Sequence, residues 1–315
     1  MSHGSVACIV GPTASGKSEV AESVALMLDG EVVSVDSMQV YKGMDIGTAK
    51  VPPNSCRVPL HMIDVVSIDE PYSVAQFQSD ARACVSGVAN RGRVPVLCGG
   101  TGLYLDAVID CMEFPTGEIQ DERRRQYEEL ARARGNGALH ELLRQRDLQS
   151  ADMIHPNNVR RVIRALELAD EGKSYAKRNE GLKDHVPYFD AMIWALVPPR
   201  EELYRRINER VEGMFAQGLV EEVRALERKG LRDSRTACQA IGYKEVLSYI
   251  DGEISLEEAI RMVQQNTRRY AKRQLGWIKR DGRARVLDMG EMSLDEASRR
   301  ICNEWKGEHA SFQTP

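Results

Sequence analysis

No two of the seven cysteines stand in C-x-x-C spacing: Cys8, Cys56, Cys84, Cys98, Cys111, Cys238 and Cys302 are scattered along 315 residues. An odd, dispersed set argues against a disulfide framework and against a zinc site. No apolar run approaches the ~20 residues of a membrane-spanning helix, and the opening MSHGSVACIVGPT does not read as a signal peptide. Internal repeats and low-complexity tracts are absent from the sequence. At 42% hydrophobic and 29% charged, the composition excludes wholesale disorder. A chain this long buries roughly three-quarters of its unfolded surface and folds without staples. The expectation is a cytoplasmic protein, monomeric and without membrane contact.

Net charge is −4, but its distribution is uneven. Residues 1–120 carry 14 acidic and 7 basic side chains, whereas residues 260–285 carry nine basic residues and only Asp281 as an acid. An acidic body with a basic C-terminal segment is expected where one part of a protein meets a polyanion; a solvated basic helix fits charge alone equally well.

The first hundred residues alternate buried-strand patterns with helical ones, which predicts a parallel α/β sheet. Strands are expected at Ser5–Val10, Glu31–Val35 and Val94–Cys98, with helices over about Ser18–Leu28 and Val74–Ala89. From about Gln120 the strands give way to Arg-rich helical segments at Asp121–Arg134, Ala138–Arg146 and Asn158–Asp170. Ala191–Val197 then returns to the sheet, followed by helices over about Glu201–Arg228, Gln239–Tyr249 and Leu256–Arg280, and an edge strand at Arg283–Leu287. The predicted fold class is therefore α/β: a P-loop-type parallel sheet core, residues 1–114 and 188–315, with helices on both faces and an all-helical insertion at 115–187.

Gly11-Pro12-Thr13-Ala14-Ser15-Gly16-Lys17-Ser18 fits G-x-x-x-x-G-K-[ST] between a predicted strand and helix. Its backbone N–H groups would wrap phosphate oxygens, Lys17 would add a point charge, and the Ser18 hydroxyl could ligate Mg²⁺. Asp36 ends the second strand, where a carboxylate faces the ligand crevice; it could hold Mg²⁺ through water or take a proton from a nucleophile, or simply cap a helix. The polar stretch Tyr41–Lys50 follows it as a loop. Gly99-Gly100-Thr101-Gly102 makes a tight turn at the same sheet edge, with no aspartate ending its strand.

In the insertion, Arg160 and Arg164 stand one turn apart on a predicted helix, and Arg161 is offset onto another face. Such arginines suit phosphates, or pair with Glu167 and Asp170 on the surface. His155, beside Pro156, reads as a turn residue. The last basic helix places Arg261, Gln265, Arg268, Lys272 and Lys279 along a stripe, with Arg269, Arg273 and Gln274 beside it and Tyr270 and Trp277 between them. Cations, planar donors and rings together grip a single-stranded loop. These residues alone leave a phosphate-binding RNA-associated enzyme, an ATP-using small-molecule kinase and a nucleotide-gated RNA-binding protein open.

The blocks GPTASGKS, DSMQVYKGMDIGTAK, GGTGLY, HPNNVRRVIRALE, MFAQGLVEEV, QAIGYKE and TRRYAKRQLGW, spanning about residues 11–277, together resemble the tRNA dimethylallyltransferases of bacterial type. That resemblance implies transfer of a dimethylallyl group from its diphosphate to N6 of the adenosine 3′ of a tRNA anticodon, with Mg²⁺ as cofactor. It implies that Gly11 to Ser18 hold diphosphate rather than hydrolyse ATP. It further implies that Asp36 is the proton acceptor, that Thr101 touches the reacting groups, and that Lys17, Arg161 and one arginine of 205–210 are catalytic, Arg206 being favoured over Arg210. Contacts with tRNA are implied for Asp36, Ser37, Met38, Gln39, Thr101, Arg124, Arg160, Arg161, Val162, Ile163, Arg164, Gln239, Gly242, Tyr243, Lys244, Lys272, Arg273, Gln274 and Trp277. Ser18 replaces the commoner threonine, HPNN replaces HPND, and LGWIKR departs from the family's usual ending.

Overall fold

The computed structural model describes residues 3–52, 55–114, 121–181 and 185–310. The chain divides into two compact units, one of Met1–Cys111 with Pro187–Pro315 and the other of Met112–Val186. The expected boundary at 114/115 runs into residues outside those described.

The first unit opens with β1 (Ser5–Val10), α1 (Lys17–Met27), β2 (Gly30–Val35), β3 (Leu60–His61), α2 (Val74–Asn90), β4 (Val94–Gly99) and α3 (Gly102–Ile109). It resumes with β5 (Asp190–Val197), α8 (Arg200–Ala216), α9 (Leu219–Glu227), α10 (Tyr243–Ile250), α11 (Leu256–Asp281), β6 (Arg285–Asp288) and α12 (Leu294–Ala310). The six strands form one parallel sheet in the order β3-β2-β4-β1-β5-β6.

Successive residues of the central strands enter different cores, which is why these strands are apolar at every position. Val6, Cys8 and Val10 of β1 pack with Val33, Val35, Leu97 and Ala195 against Phe77, Leu105 and Val108. Ala7 and Ile9 pack on the other face with Val96, Trp194 and Leu196 against Val20 and Val24 of α1 and Ala297, Ile301 and Trp305 of α12. Burying one such large apolar side chain contributes about 1.5–3 kcal/mol, so the two cores fix the register. Because the sheet is parallel, β1, β2 and β4 end at one edge. Val10 and Val35 are both register partners of Gly99, so Gly11, Asp36 and Gly100 emerge side by side.

Local signals set the helix ends. Ser73 accepts the Gln76 N–H while the Gln76 side chain accepts the Ser73 N–H, starting α2 with a capping box. Ser255 accepts the Glu258 N–H at the start of α11, with acids in the first turn and Lys279 and Arg280 in the last, as the helix dipole favours. The single helix expected over Glu201–Arg228 is two, because Gly218 takes φ 101° and begins α9 afresh. The helix expected from Gln239 begins only at Tyr243, after a short 3-10 turn at Ala237–Gln239. α12 was not among the expected helices, although Leu294, Ala297, Ile301 and Trp305 recur at helical spacing.

The second unit holds α4 (Asp121–Arg146, interrupted at Gly135), α5 (Leu148–Met153), α6 (Val159–Asp170) and α7 (Tyr175–Gly181). Tyr127, Leu139, Leu143, Ile154, Val162, Ile163 and Leu166 form its core. His155 is a turn residue: its Nδ1 accepts the Asn157 N–H at 3.2 Å.

Candidate functional site

The phosphate loop is strained and pinned. Ala14 has φ 64° and Gly16 φ 88°, left-handed conformations that turn successive N–H groups inward, the first costly for a non-glycine residue. The Ser15 N–H donates to the Pro12 carbonyl at 3.2 Å. Ser15 Oγ is buried with no hydrogen-bond partner among the described residues, a donor left over inside an anion-binding loop. Lys17 Nζ donates to the Pro12 carbonyl at 3.3 Å. Burial pushes the Lys17 ammonium below the ordinary lysine range; Cys98 and Asp36 oppose this, and Arg210 adds to it.

Lys17, Asp36 and Arg210 thus share one electrostatic site. Arg210 reaches it from α8, open to solvent yet walled closely enough that its pKa is lowered by burial, and it has no ion pair among the described residues. The expectation placed Arg206 ahead of Arg210. Arg206 lies one turn back, with Nε 2.7 Å from Glu202, and remains half-exposed. Glu202 precedes Arg206 by four residues, the spacing of a helical ion pair.

Asp36 is held by its own turn. Oδ1 accepts the N–H groups of Met38 at 2.8 Å and Gln39 at 3.3 Å, and Oδ2 is left without a hydrogen-bond partner among the described residues. Gln39 is engaged within the protein, accepting from Ser34 Oγ at 2.8 Å and donating to the Thr48 carbonyl at 3.2 Å. The loop that follows is anchored by Lys50, which donates to the Tyr41 carbonyl and to Asp45 and Asp64. Met38 packs on the core, and Ser37 is half-buried.

Thr101 is the N-cap residue of α3, and its Oγ1 lies 3.3 Å from the Tyr270 hydroxyl of α11. Burial raises the Tyr270 and Tyr104 phenols to about 12, and Asp36 adds to both shifts. Both phenols therefore stay protonated as donors in the Asp36 environment. Sequence reading singled out Tyr270 only as an aromatic between cations and gave no chemical role to Tyr104.

The other residues for which tRNA contacts were implied have partners within the protein or face solvent. Gln274 is 5% exposed, accepting the Thr13 N–H at 2.9 Å and donating to the Gly100 carbonyl at 3.0 Å. A Cβ on residue 100 would stand 2.1 Å from Gln274 Nε2, so only glycine fits there. Trp277 packs over Gly102, and its Nε1–H donates to Asp106 Oδ2 at 3.1 Å. Burial, against the Trp277 hydrogen bond, raises the Asp106 pKa to about 6. Tyr243 is fully buried and hydrogen-bonds Glu222. Gly242 is buried, Gln239 is exposed, and half-buried Lys244 stands 3.4 Å from Glu245. Lys272 and Arg273 do face solvent, as do Arg269, Lys279 and Arg280, and none of these five has an acidic partner within ion-pair distance among the described residues. Arg273 sits over the Tyr270 ring.

In the second unit, Val162 and Ile163 are core residues, 0% and 1% exposed. Arg124 and Arg164 both pair with buried Glu167, at 3.2 and 3.0 Å. Arg160 and Arg161 are exposed and without an ion pair among the described residues.

Hard oxygen donors at the loop, namely exposed Ser18 and the unshared Asp36 oxygen, suit Mg²⁺, which binds few protein groups and takes its remaining ligands from phosphate and water. Fold and site together define a phosphate-loop α/β protein whose loop adjoins a carboxylate with one unshared oxygen and a cationic helix. Residues 39–281 match the family described as IPP transferase. The tRNA dimethylallyltransferase of Geobacillus thermodenitrificans (strain NG80-2) is 49% identical over 286 residues, covering 90% of each chain. The structure of the full-length tRNA isopentenylpyrophosphate transferase of Bacillus halodurans is 41% identical, with a TM-score of 0.72 over 98% of this chain and 97% of that one. A eukaryotic dimethylallyltransferase described as acting on tRNA gives 0.75 at 26% identity, over 99% of this chain and 80% of that one. The chain belongs to the IPP transferase family.

Proposed function

We propose that the chain transfers a dimethylallyl group from dimethylallyl diphosphate to N6 of the adenosine 3′-adjacent to the anticodon of a tRNA. N6 forms a bond to the allylic carbon, the C–O bond to the diphosphate breaks, pyrophosphate leaves, and the N6 proton passes to Asp36. The observation that carries this reading is the convergence of three strand ends: phosphate loop, unshared carboxylate oxygen and threonine hydroxyl emerge side by side from β1, β2 and β4.

The loop N–H groups of Gly16 to Ser18, with Lys17 and Arg210, hold the diphosphate and stabilise its charge as the C–O bond breaks. Ser18 would hold Mg²⁺, which when bound neutralises part of that charge. Oδ2 of Asp36 accepts the N6 proton, and this general-base role accounts for roughly 10²–10⁴ in rate. Thr101, backed by the Tyr270 hydroxyl, orients the reacting groups. Exposed cations of α11 bind tRNA phosphates, and Arg160 and Arg161 offer the second unit's own unpaired charges. The kinase alternative leaves the cationic helix without a role. Among the described residues no helix is long and apolar enough to cross a membrane.

The test is pyrophosphate release from dimethylallyl diphosphate. Release is expected with an anticodon stem-loop carrying adenosine after the anticodon and not with guanosine there. Equal release from both would refute the assignment of N6 as acceptor.

A further inference from the structure

Three residues of α11 at i, i+4 and i+7 turn inward onto the anion site rather than outward to RNA. Tyr270 meets Thr101, Gln274 meets Thr13 and Gly100, and Trp277 meets Gly102 and Asp106. Gln274 is the member that touches both loops of the site. Its carbonyl takes the Thr13 N–H of the phosphate loop, and its NH₂ group holds the Gly100 carbonyl of the neighbouring turn. An amide of this length offers an acceptor and a donor from one side chain there; a carboxylate loses the donor, and a thioether loses the donor and keeps only a weak acceptor.

We infer that Gln274 is a positioning residue for the diphosphate. It turns the Thr13 N–H away from the ligand and fixes the distance between the phosphate loop and the turn that carries Thr101. It does so from the helix that also presents Lys272 and Arg273 to solvent. At 5% exposure its side chain offers little surface to RNA. The inference rests on the proposed function, in that the anion is taken to be the diphosphate of the prenyl donor.

The experiment measures pyrophosphate binding by calorimetry, the KM for dimethylallyl diphosphate and stem-loop affinity for the wild-type chain, Gln274→Met and Gln274→Glu, with melting curves for each. Gln274→Met is expected to weaken pyrophosphate binding and raise the KM by about tenfold or more, the worth of a lost buried hydrogen bond or two. Stem-loop affinity should stay within about threefold. Should Gln274→Met fail to fold, Gln274→Glu, of the same size, carries the test and is expected to show the same pattern. Pyrophosphate affinity unchanged from wild type overturns the inference, and so does a stem-loop affinity that falls while pyrophosphate binding holds. A wild-type chain that binds no pyrophosphate would instead overturn the proposed function, so the two failures are distinguishable.

Discussion

The Tyr243 phenol donates a 2.6 Å hydrogen bond to Glu222 Oε1, and the same carboxylate accepts the backbone N–H groups of Asp45, Ile46 and Gly47. Two residues far from the loop in sequence thereby hold the segment that follows the Asp36 turn. The fit is close: a Cβ on residue 47 would stand 2.4 Å from the Tyr243 ring. Gly47→Ala is expected to destabilise the protein by about 1–3 kcal/mol, the usual cost of overpacking. Glu222→Ala, which leaves three N–H groups and a phenol without their acceptor, should cost at least as much. Urea unfolding checks both, and a Gly47→Ala midpoint equal to wild type would contradict the packing described.

Asp36→Asn keeps an oxygen for the Met38 N–H and removes the base. Turnover is expected to fall by roughly 10²–10⁴, with stem-loop affinity changed by less than about threefold. Single-turnover kinetics with saturating donor separates the two. Near-normal turnover would remove Asp36 from the chemistry.

Lys17 carries a pH dependence whose sign follows from its lowered pKa. Between that folded value and the ordinary lysine value the unfolded chain binds the extra proton, so stability rises with pH through this window. Below the window the buried ammonium is a standing cost. Lys17→Met is therefore expected to melt a few degrees higher than wild type near neutral pH, to lose the alkaline rise, and to lose pyrophosphate binding. Melting curves across pH check it, and a variant less stable than wild type at pH 7 would contradict the account.

Exposed Lys272 and Arg273 have no acidic partner within ion-pair distance among the described residues. Lys272→Ala with Arg273→Ala should weaken stem-loop binding and flatten the slope of log affinity against log salt by about 1.4–1.8, two phosphate contacts' worth. An unchanged slope would take this side of α11 out of the interface.

Much of this was legible in the sequence, for physical reasons that differ by element. The central strands read clearly because both faces of β1, β2 and β4 are buried, and the phosphate loop because its spacing is set by backbone geometry alone. The split at Gly218 was harder to see, since a helix pattern continues on both sides of the glycine. The side-chain partners of α11 were hidden for another reason. Tyr270, Gln274 and Trp277 lie among cations in sequence, but their direction is set by packing on loops some 170 to 260 residues away. Polar and aromatic residues in a basic helix read equally well as RNA-facing or core-facing until the helix is docked. Arg206 and Arg210 were not separable in sequence, because proximity to Lys17 is a property of α8's placement, whereas the Glu202–Arg206 pair was visible as a spacing.

The most direct test is mass spectrometry of an unmodified anticodon stem-loop with adenosine 3′ of the anticodon, incubated with the protein, Mg²⁺ and dimethylallyl diphosphate. A parallel reaction replaces the diphosphate with ATP. The account predicts addition of one C₅H₈ unit to that adenosine in the first reaction and none in the second. An unmodified stem-loop in the first, with ADP formed in the second, would contradict it and make the phosphate loop that of a kinase.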